Sequence, residues 1–425
     1  MWYNTDTNQR KRGVLMTVLS LFDGMACGMI AMQLAGVDVE SYDAFEIDKY
    51  AIKTAQHNFP MIKEHGDVFN ADFTQYDGVD FLIGGSPCTY WSIAQTKNRE
   101  TVASGMGWKL FSQYVRALRE AKPKYFIYEN NKSMSKQIRA SIDEAFGFEA
   151  VLINSALVSA QNRQRLYWVG RRNEDGTYSK VNVDQPADRG ILLKDVLDNA
   201  VAMREKAHAV IASAGRTTER EFFTKNQGNM AAEPINVTAD GKAQCLRATC
   251  YKDGIRNIVA NEVDKKTGVA EPINDILQVG AMPRHDGEIS TSAGCRIYST
   301  EAKGRYLCAN GGGAGAKTGL YAIPYEIEFD DDGKPIKAIV KDGKEITIYE
   351  VRDGKITIKG KQYPIKLKDG FYIIRKLTVC ECKRLQTVPE WYEFPVSNSQ
   401  AYKMLGNGWT CEVIAHLIRA CAGGA

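Results

Sequence analysis

A cysteine placed just beyond an apolar run is the residue in this chain best suited to chemistry. Pro87-Cys88 follows Val79-Asp80-Phe81-Leu82-Ile83-Gly84-Gly85 and precedes Thr89-Tyr90-Trp91-Ser92. The run reads as a buried parallel strand ending in a glycine hinge, which puts Cys88 past a strand's carboxyl edge, where open α/β sheets bind ligands. Cys88 is therefore a candidate nucleophile; the other reading is a small buried hydrophobe. Residues 124–131 form another strand pattern carrying Glu129 near its end. If the two strands are neighbours, Glu129 shares a cleft with the thiol and supplies a proton donor. A solvated carboxylate or a helix N-cap partner is the alternative. Gln161-Asn162-Arg163-Gln164-Arg165 leads into the strand pattern 166–170. Two arginines at i and i+2 on an extended segment point the same way and could clamp a phosphate or carboxylate.

The elements that must position these groups are legible upstream. Residues 14–21 are a buried-strand pattern running into Phe22-Asp23-Gly24-Met25-Ala26-Cys27-Gly28, and a helical stretch follows from Met29 to Ala35. A glycine-bearing turn between strand and helix brings backbone N–H groups close to a ligand at a helix N-terminus. Glu46 ends the next strand pattern, 42–46, where an acid can accept hydrogen bonds from ribose hydroxyls. An adenosine-type cofactor fits both features. The turn alone is weak evidence, since Gly24-x-x-x-Gly28 is not the full dinucleotide fingerprint.

Taken in order, these motifs resemble the DNA (cytosine-5) methyltransferase family of bacterial and phage restriction-modification type. The matching segments cover roughly residues 14–173 and 374–420, and they include Arg375-Lys376-Leu377-Thr378, residues 381–386 and Gly406-Asn407-Gly408-Trp409-Thr410. The resemblance implies a Rossmann-like class I methyltransferase α/β sheet with helices on both faces, a smaller β-rich target recognition domain, and S-adenosyl-L-methionine as cofactor. It assigns Cys88, Glu129, Arg163 and Arg165 to catalysis. Phe22, Asp23, Gly24, Gly28 and Glu46 would hold the cofactor, with Asp67 reading its adenine and Ile47, Pro87, Leu110 and Asn407 completing the set. Three positions depart from the family pattern: Ala26 stands where many members have glycine, Asn131 where valine is usual, and Thr89 where glutamine is typical.

The implied mechanism adds the Cys88 thiolate to carbon 6 of cytosine, so that carbon 5 becomes nucleophilic, with Glu129 bonding ring nitrogen 3 and Arg165 contacting the base carbonyl, supported by Arg163. Such chemistry needs the cytosine flipped out of the duplex. The segment 93–108, with Gln95, Lys97, Arg99, Gly105 and Gly107, suits a mobile loop closing over DNA on glycine hinges. Ser92 and Gln95 are expected to touch DNA.

Composition agrees with an ordinary two- or three-domain globular protein. The chain has 425 residues, 44% hydrophobic and 25% charged, and its net charge of +4 assigns DNA binding to local clusters rather than bulk charge. Ten scattered cysteines and five histidines, without a paired C-x-x-C set, predict reduced thiols and no metal site. No signal peptide or spanning segment is evident, and the expectation is a cytoplasmic monomer acting on double-stranded DNA, with a cognate restriction endonuclease as an optional partner.

The expected division is a catalytic first part over 1–190, a target recognition domain over 191–373, and a C-terminal segment over 374–425 that completes the catalytic domain. A weak repeat with an offset of 61 residues aligns 242–259 with 303–320. Within this region Arg247, Arg296, Tyr298, Gly312 and Lys317 are candidates for DNA contact, by arginine reading guanine or by phosphate contact. Gly311 to Thr318 reads nearly as a phosphate-binding P-loop, but the residues that follow look extended rather than helical, which argues against it. Four Asp-Gly steps, at 332, 342, 353 and 369, predict an antiparallel meander over 325–373. Two other readings keep part of this picture: the same chemistry on transfer RNA, or a DNA-binding relative without catalysis.

Overall fold

The computed structural model describes residues 15–92, 99–198 and 369–423, together with the strands and some single residues between 201 and 367. By backbone proximity the chain forms two compact units. One takes the chain up to Ile191, His208–Gly215 and everything from Lys383 on; the other takes Leu192–Ala207 and Arg216–Cys382.

The first unit is a doubly wound sheet. Its elements are β1 (Met16–Leu21), α1 (Cys27–Ala35), β2 (Val39–Phe45), α2 (Lys49–Asn58), β3 (Lys63–Glu64), β4 (Phe81–Gly84), α3 (Gly105–Ala121), β5 (Tyr125–Asn131), α4 (Lys136–Phe146), β6 (Val151–Asn154), the short β7 (Gln161–Asn162), β8 (Gln164–Arg172) and β9 (Tyr178–Lys180). The order is β3-β2-β1-β4-β5-β8-β6, with β9 beside β8. Strands β3 to β5 along this path pair in parallel, and β8 runs antiparallel to both β5 and β6. The chain reverses its direction of winding between β1 and β4, which opens the crevice at the carboxyl ends of β1, β2, β4 and β5 where such sheets take ligands.

Both faces of this sheet are covered. Leu19, Leu82, Phe126 and Trp168 join Phe111 and Tyr114 of α3 and Ile138 and Phe146 of α4 in one buried cluster. On the opposite face α1 approaches so closely that a Cβ on Gly28 would stand 2.3 Å from Ile83 Cδ1 and 2.5 Å from the Tyr42 hydroxyl. Local chemistry sets the helix ends. Asp48 accepts from the Tyr50 N–H at 2.9 Å, Ser135 accepts from the Ile138 N–H at 3.1 Å, and Gly36 and Gly147 end α1 and α4 in the left-handed region. The chain closes with α5 (Val379–Leu385), α6 (Asn398–Asn407) and α7 (Cys411–Ala422), and α7 packs on α1.

The second unit is β-rich. Leu246–Cys250 and Gly254–Asn257 form an antiparallel hairpin, and Leu320–Phe329, Pro335–Val340 and Glu345–Arg352 follow one another antiparallel. Asp353 and Gly354 both have positive φ, at 51° and 66°, as a tight hairpin turn requires, and Lys355–Ile358 returns against the preceding strand. The meander is interrupted after Lys361–Pro364. Gly370–Lys376 pairs with Glu345–Arg352 and with Met230–Ile235, so Asp369-Gly370 does not make the hairpin that its sequence suggests. The hairpin 355–364 branches off the end of strand 345–352, leaving the rest of that strand's edge to the later strand. Leu320–Phe329 is a strand, which denies the P-loop-like glycines the helix they would need. The aligned repeat falls largely outside the described residues. Among the described residues no helix is long and apolar enough to cross a membrane.

Candidate active site

Register places the two main candidates side by side. In the parallel pair β4–β5, Gly84 is level with Tyr128, so Glu129 and the Ser86-Pro87-Cys88 turn leave adjacent strand ends together. Cys88 opens a 3-10 turn, Cys88–Tyr90. The turn is fastened to β5: the Ser86 and Tyr128 hydroxyls lie 2.6 Å apart, and Asn130 Nδ2 donates to the Ser86 carbonyl and to the Tyr128 hydroxyl, both at 3.2 Å. All three side chains are buried, so the network is dry and each partner is needed to satisfy the others.

Glu129 and Arg165 meet directly. Arg165 Nε lies 3.0 Å from Glu129 Oε1, and both side chains are largely shielded from solvent. The other carboxylate oxygen accepts the Trp409 indole N–H at 3.1 Å. Arg163 does not join them in a clamp. Its buried guanidinium donates to the carbonyls of Val210 at 2.8 Å, Gly406 at 3.2 Å and Gly408 at 2.8 Å. The chain breaks from strand geometry at residue 163, between β7 and β8, so the i, i+2 argument does not apply and the two arginines serve different partners. Gln161 is likewise structural, giving its amide to Gln386 at 2.8 Å and Thr410 at 3.3 Å and accepting from the Val210 N–H at 3.1 Å.

The cofactor turn is strained in an informative way. Phe22, Gly24 and Ala26 all have φ near +60° (58°, 63° and 58°), and Ala26 is the left-handed N-cap of α1. Glu46 reaches across and accepts the N–H of Gly24 through Oε2 and those of Ile47 and Asp48 through Oε1, each at 2.8 Å. Ile47 is 76% exposed beside it, an apolar surface without cover. Asp67 caps a short 3-10 turn through Phe69 N–H at 3.0 Å, Leu110 lies half-buried on α3, and Asn407 is exposed at the end of α6.

Beside the turn lies a group of acids, Asp23, Glu46 and Glu64, that no motif connects. Asp23 Oδ1 accepts from Ser20 and Tyr42 hydroxyls, both at 2.6 Å, whereas Oδ2 is buried with no partner. Glu64 on β3 has both carboxylate oxygens buried without partners. Burial first, then the charge of Asp23 and Glu46, pushes Glu64 up to about 8; burial, opposed by the two hydroxyls and reinforced by Glu46, pushes Asp23 up to about 6. Orphaned acceptors beside a glycine turn suit a ligand that brings positive charge, as the ammonium and sulfonium of S-adenosylmethionine do. The residues present therefore fit that cofactor.

The segment after Cys88 differs from the hinge expectation. Gly105 and Gly107 belong to the first turn of α3, and a Cβ on either would collide with Glu100, at 2.5 Å and 2.7 Å respectively. Gly105 also has a φ of 79°, a left-handed conformation that favours glycine, whereas Gly107 leaves room for Trp91 Nε1 and Glu100. Glu100 accepts from Trp91 Nε1 and the Gly107 N–H, both at 3.1 Å, and Arg99 donates to the carbonyls of Trp91 at 3.2 Å and Ser133 at 2.7 Å. Ser92 is half-buried; Gln95 lies outside the described residues. Of the expected DNA readers, Arg247, Arg296 and Tyr298 lie on strands, while Gly312 and Lys317 are outside the described residues.

A family model described as C-5 cytosine-specific DNA methylase matches residues 16–423. The chain belongs to that family and is an S-adenosylmethionine-dependent DNA (cytosine-5) methyltransferase. It is 25% identical over 449 residues to the orphan methyltransferase M.SPRI of Bacillus phage SPR, covering 95% of this chain and 97% of that one. It is 31% identical over 240 residues to the type II methyltransferase M1.ScrFI of Lactococcus lactis subsp. cremoris, covering 51% and 57%. A crystal structure of Spodoptera frugiperda DNMT2 aligns with 96% of this chain and 99% of its own, at a TM-score of 0.48 and 14% identity.

Proposed function

We propose that this methyltransferase modifies cytosine within a specific duplex sequence through a covalent bond between Cys88 and carbon 6 of a flipped-out base, with Glu129 and Arg165 as the base-binding pair. The observation that carries this reading is Glu129 and the Cys88 turn leaving neighbouring strands, with the Glu129 carboxylate held by Arg165 at 3.0 Å. Bound S-adenosylmethionine supplies an electrophilic sulfonium methyl. Cys88 adds as a thiolate to carbon 6, and Glu129 hydrogen-bonds or protonates ring nitrogen 3 as charge builds on the ring. The electron pair of the former 5,6 double bond becomes available at carbon 5, which would take the methyl group as the methyl–sulfur bond breaks and the neutral thioether leaves. A base or water then takes the proton from carbon 5, the ring recovers its double bond, and the Cys88 thiolate leaves.

The remaining assignments extend this reading. Glu46, Ile47 and Asp67 serve the adenosine half of the cofactor, and Asp23 its charged half. Arg163 supports the turn 406–409 through its bonds to the Gly406 and Gly408 carbonyls. The β-rich unit reads the DNA sequence, with Arg247, Arg296 and Tyr298 as candidate readers. One relative matched over nearly its whole length is named an orphan methyltransferase, which favours action without a dedicated nuclease. Bisulfite sequencing of DNA from cells expressing the chain tests the whole reading. Fully protected cytosines at one recurring sequence are the expected result; protection absent everywhere, or scattered without a shared sequence, contradicts it.

A further inference from the structure

Trp409 lies 280 residues from Glu129 in sequence, yet its indole N–H donates to Glu129 Oε2 at 3.1 Å. The contact is built from several sides. A Cβ on Gly85 would stand 3.0 Å from Oε2 and 3.5 Å from Trp409 Nε1, so glycine immediately before the Ser86-Pro87-Cys88 turn leaves room for the two to meet. The backbone around the indole is also held: the Gly408 carbonyl accepts from Arg163 Nη2 at 2.8 Å and Gln386 Nε2 at 3.3 Å, and the Thr410 hydroxyl bonds Gln386 Oε1 at 3.0 Å and the Ser155 hydroxyl at 2.8 Å.

We propose that Trp409 is a positioning residue for the base-binding carboxylate, which rests on reading Glu129 as the group that bonds the cytosine ring. The last torsion of a glutamate is broad and two-fold, so a single contact through Oε1 leaves the carboxyl free to pivot about Arg165. Arg165 on Oε1 and the indole on Oε2 together fix the plane. A carboxylate offers about four lone-pair sites, so two donors still leave acceptor positions for the base. The buried Arg163, whose guanidinium goes to backbone carbonyls, then acts on the same carboxylate at one remove, by fixing the turn that carries Trp409.

The test uses the full chain and a duplex oligonucleotide carrying the sequence found by bisulfite mapping. Trp409→Phe removes the donor and keeps most of the ring; it is expected to slow single-turnover methyl transfer by about tenfold or more, the usual worth of a hydrogen bond to a charged group. The KM for S-adenosylmethionine is expected to stay within about twofold, and Trp409→His, which retains an N–H, to recover part of the rate. In a Glu129→Ala background Trp409→Phe is expected to cost nothing further, because the two act as one unit. In the NMR spectrum the Trp409 indole N–H resonance is expected to move on Glu129→Ala. A Phe variant at the wild-type rate, an equal loss in the Glu129→Ala background, or a loss residing in the cofactor KM each overturns the proposal. A wild-type chain that transfers no methyl group to DNA instead overturns the functional reading on which it rests.

Discussion

Arg165 Nε and Glu129 Oε1 are 3.0 Å apart on antiparallel strands, at a point where the first sheet is still parallel on its other side. The reversed strand β8 is what makes this pairing possible, because it brings the residue at its own beginning level with the end of β5. Arg165→Ala leaves the shielded carboxylate without its charged partner. A fall in kcat of about 100-fold is expected, within the range for loss of a positioned acid or its electrostatic support, and rapid-quench assays with labelled cofactor measure it.

The fastening of the catalytic turn is a separate, testable network. Tyr128→Phe deprives the Ser86 hydroxyl and Asn130 amide of a buried partner and is expected to cost about 1–3 kcal/mol of stability. Adding Ser86→Ala to Tyr128→Phe is expected to cost less than the sum of the single changes, since the orphaned hydroxyl is removed with its partner. Denaturant melts of the three variants give the answer.

Gly28 is the tightest point between α1 and the sheet. Gly28→Ala forces a methyl group toward Ile83 Cδ1 and the Tyr42 hydroxyl, the latter already committed to Asp23. Overpacking of this kind costs about 1–3 kcal/mol, and a lowered Tm accompanied by weaker cofactor binding is the expected outcome.

The acids beside the cofactor turn make stability depend on pH. Glu64, raised to about 8, and Asp23, raised to about 6, hold protons in the folded state at pH values where the unfolded chain has already released them. The contribution is fully present below the ordinary carboxylate range, near about pH 4, and is lost as pH rises through about 6 for Asp23 and about 8 for Glu64. The Tm of the cofactor-free protein is therefore expected to fall across that window, and Glu64→Gln to flatten its upper half. A cationic ligand favours the ionised carboxylates, so cofactor binding is expected to release protons and to tighten as pH rises through the same window. Calorimetry in buffers of different ionisation enthalpy detects the release.

Much of the first sheet was legible because its information is local. Apolar runs ending at Leu21, Phe45, Gly84 and Asn131 mark the strands to within a few residues, and the groups that follow them fall on one edge as parallel topology demands. What was not legible depends on distant partners. Nothing near residue 163 tells that its guanidinium goes to the carbonyls of 210, 406 and 408, nor that Trp409 meets Glu129. In sequence Gly105 and Gly107 look alike, yet one serves a left-handed turn and the other makes space for Trp91 and Glu100, because a missing side chain carries no record of why it is missing. The Asp-Gly at 369 has the composition of a hairpin turn, but the strand after it pairs elsewhere, a choice made by the whole sheet. Glu64 belongs to no motif and becomes noticeable only when Asp23 and Glu46 are seen beside it.

The central claim is that Cys88 bonds to the cytosine ring during methyl transfer. Incubating the protein with S-adenosylmethionine and a duplex in which 5-fluorocytosine replaces the target base blocks removal of the carbon 5 substituent, so the adduct should accumulate. Denaturing mass spectrometry is expected to find the DNA attached to the peptide containing Cys88, and no adduct with Cys88→Ser. Methyl transfer persisting in Cys88→Ser, or attachment at another residue, would contradict the account.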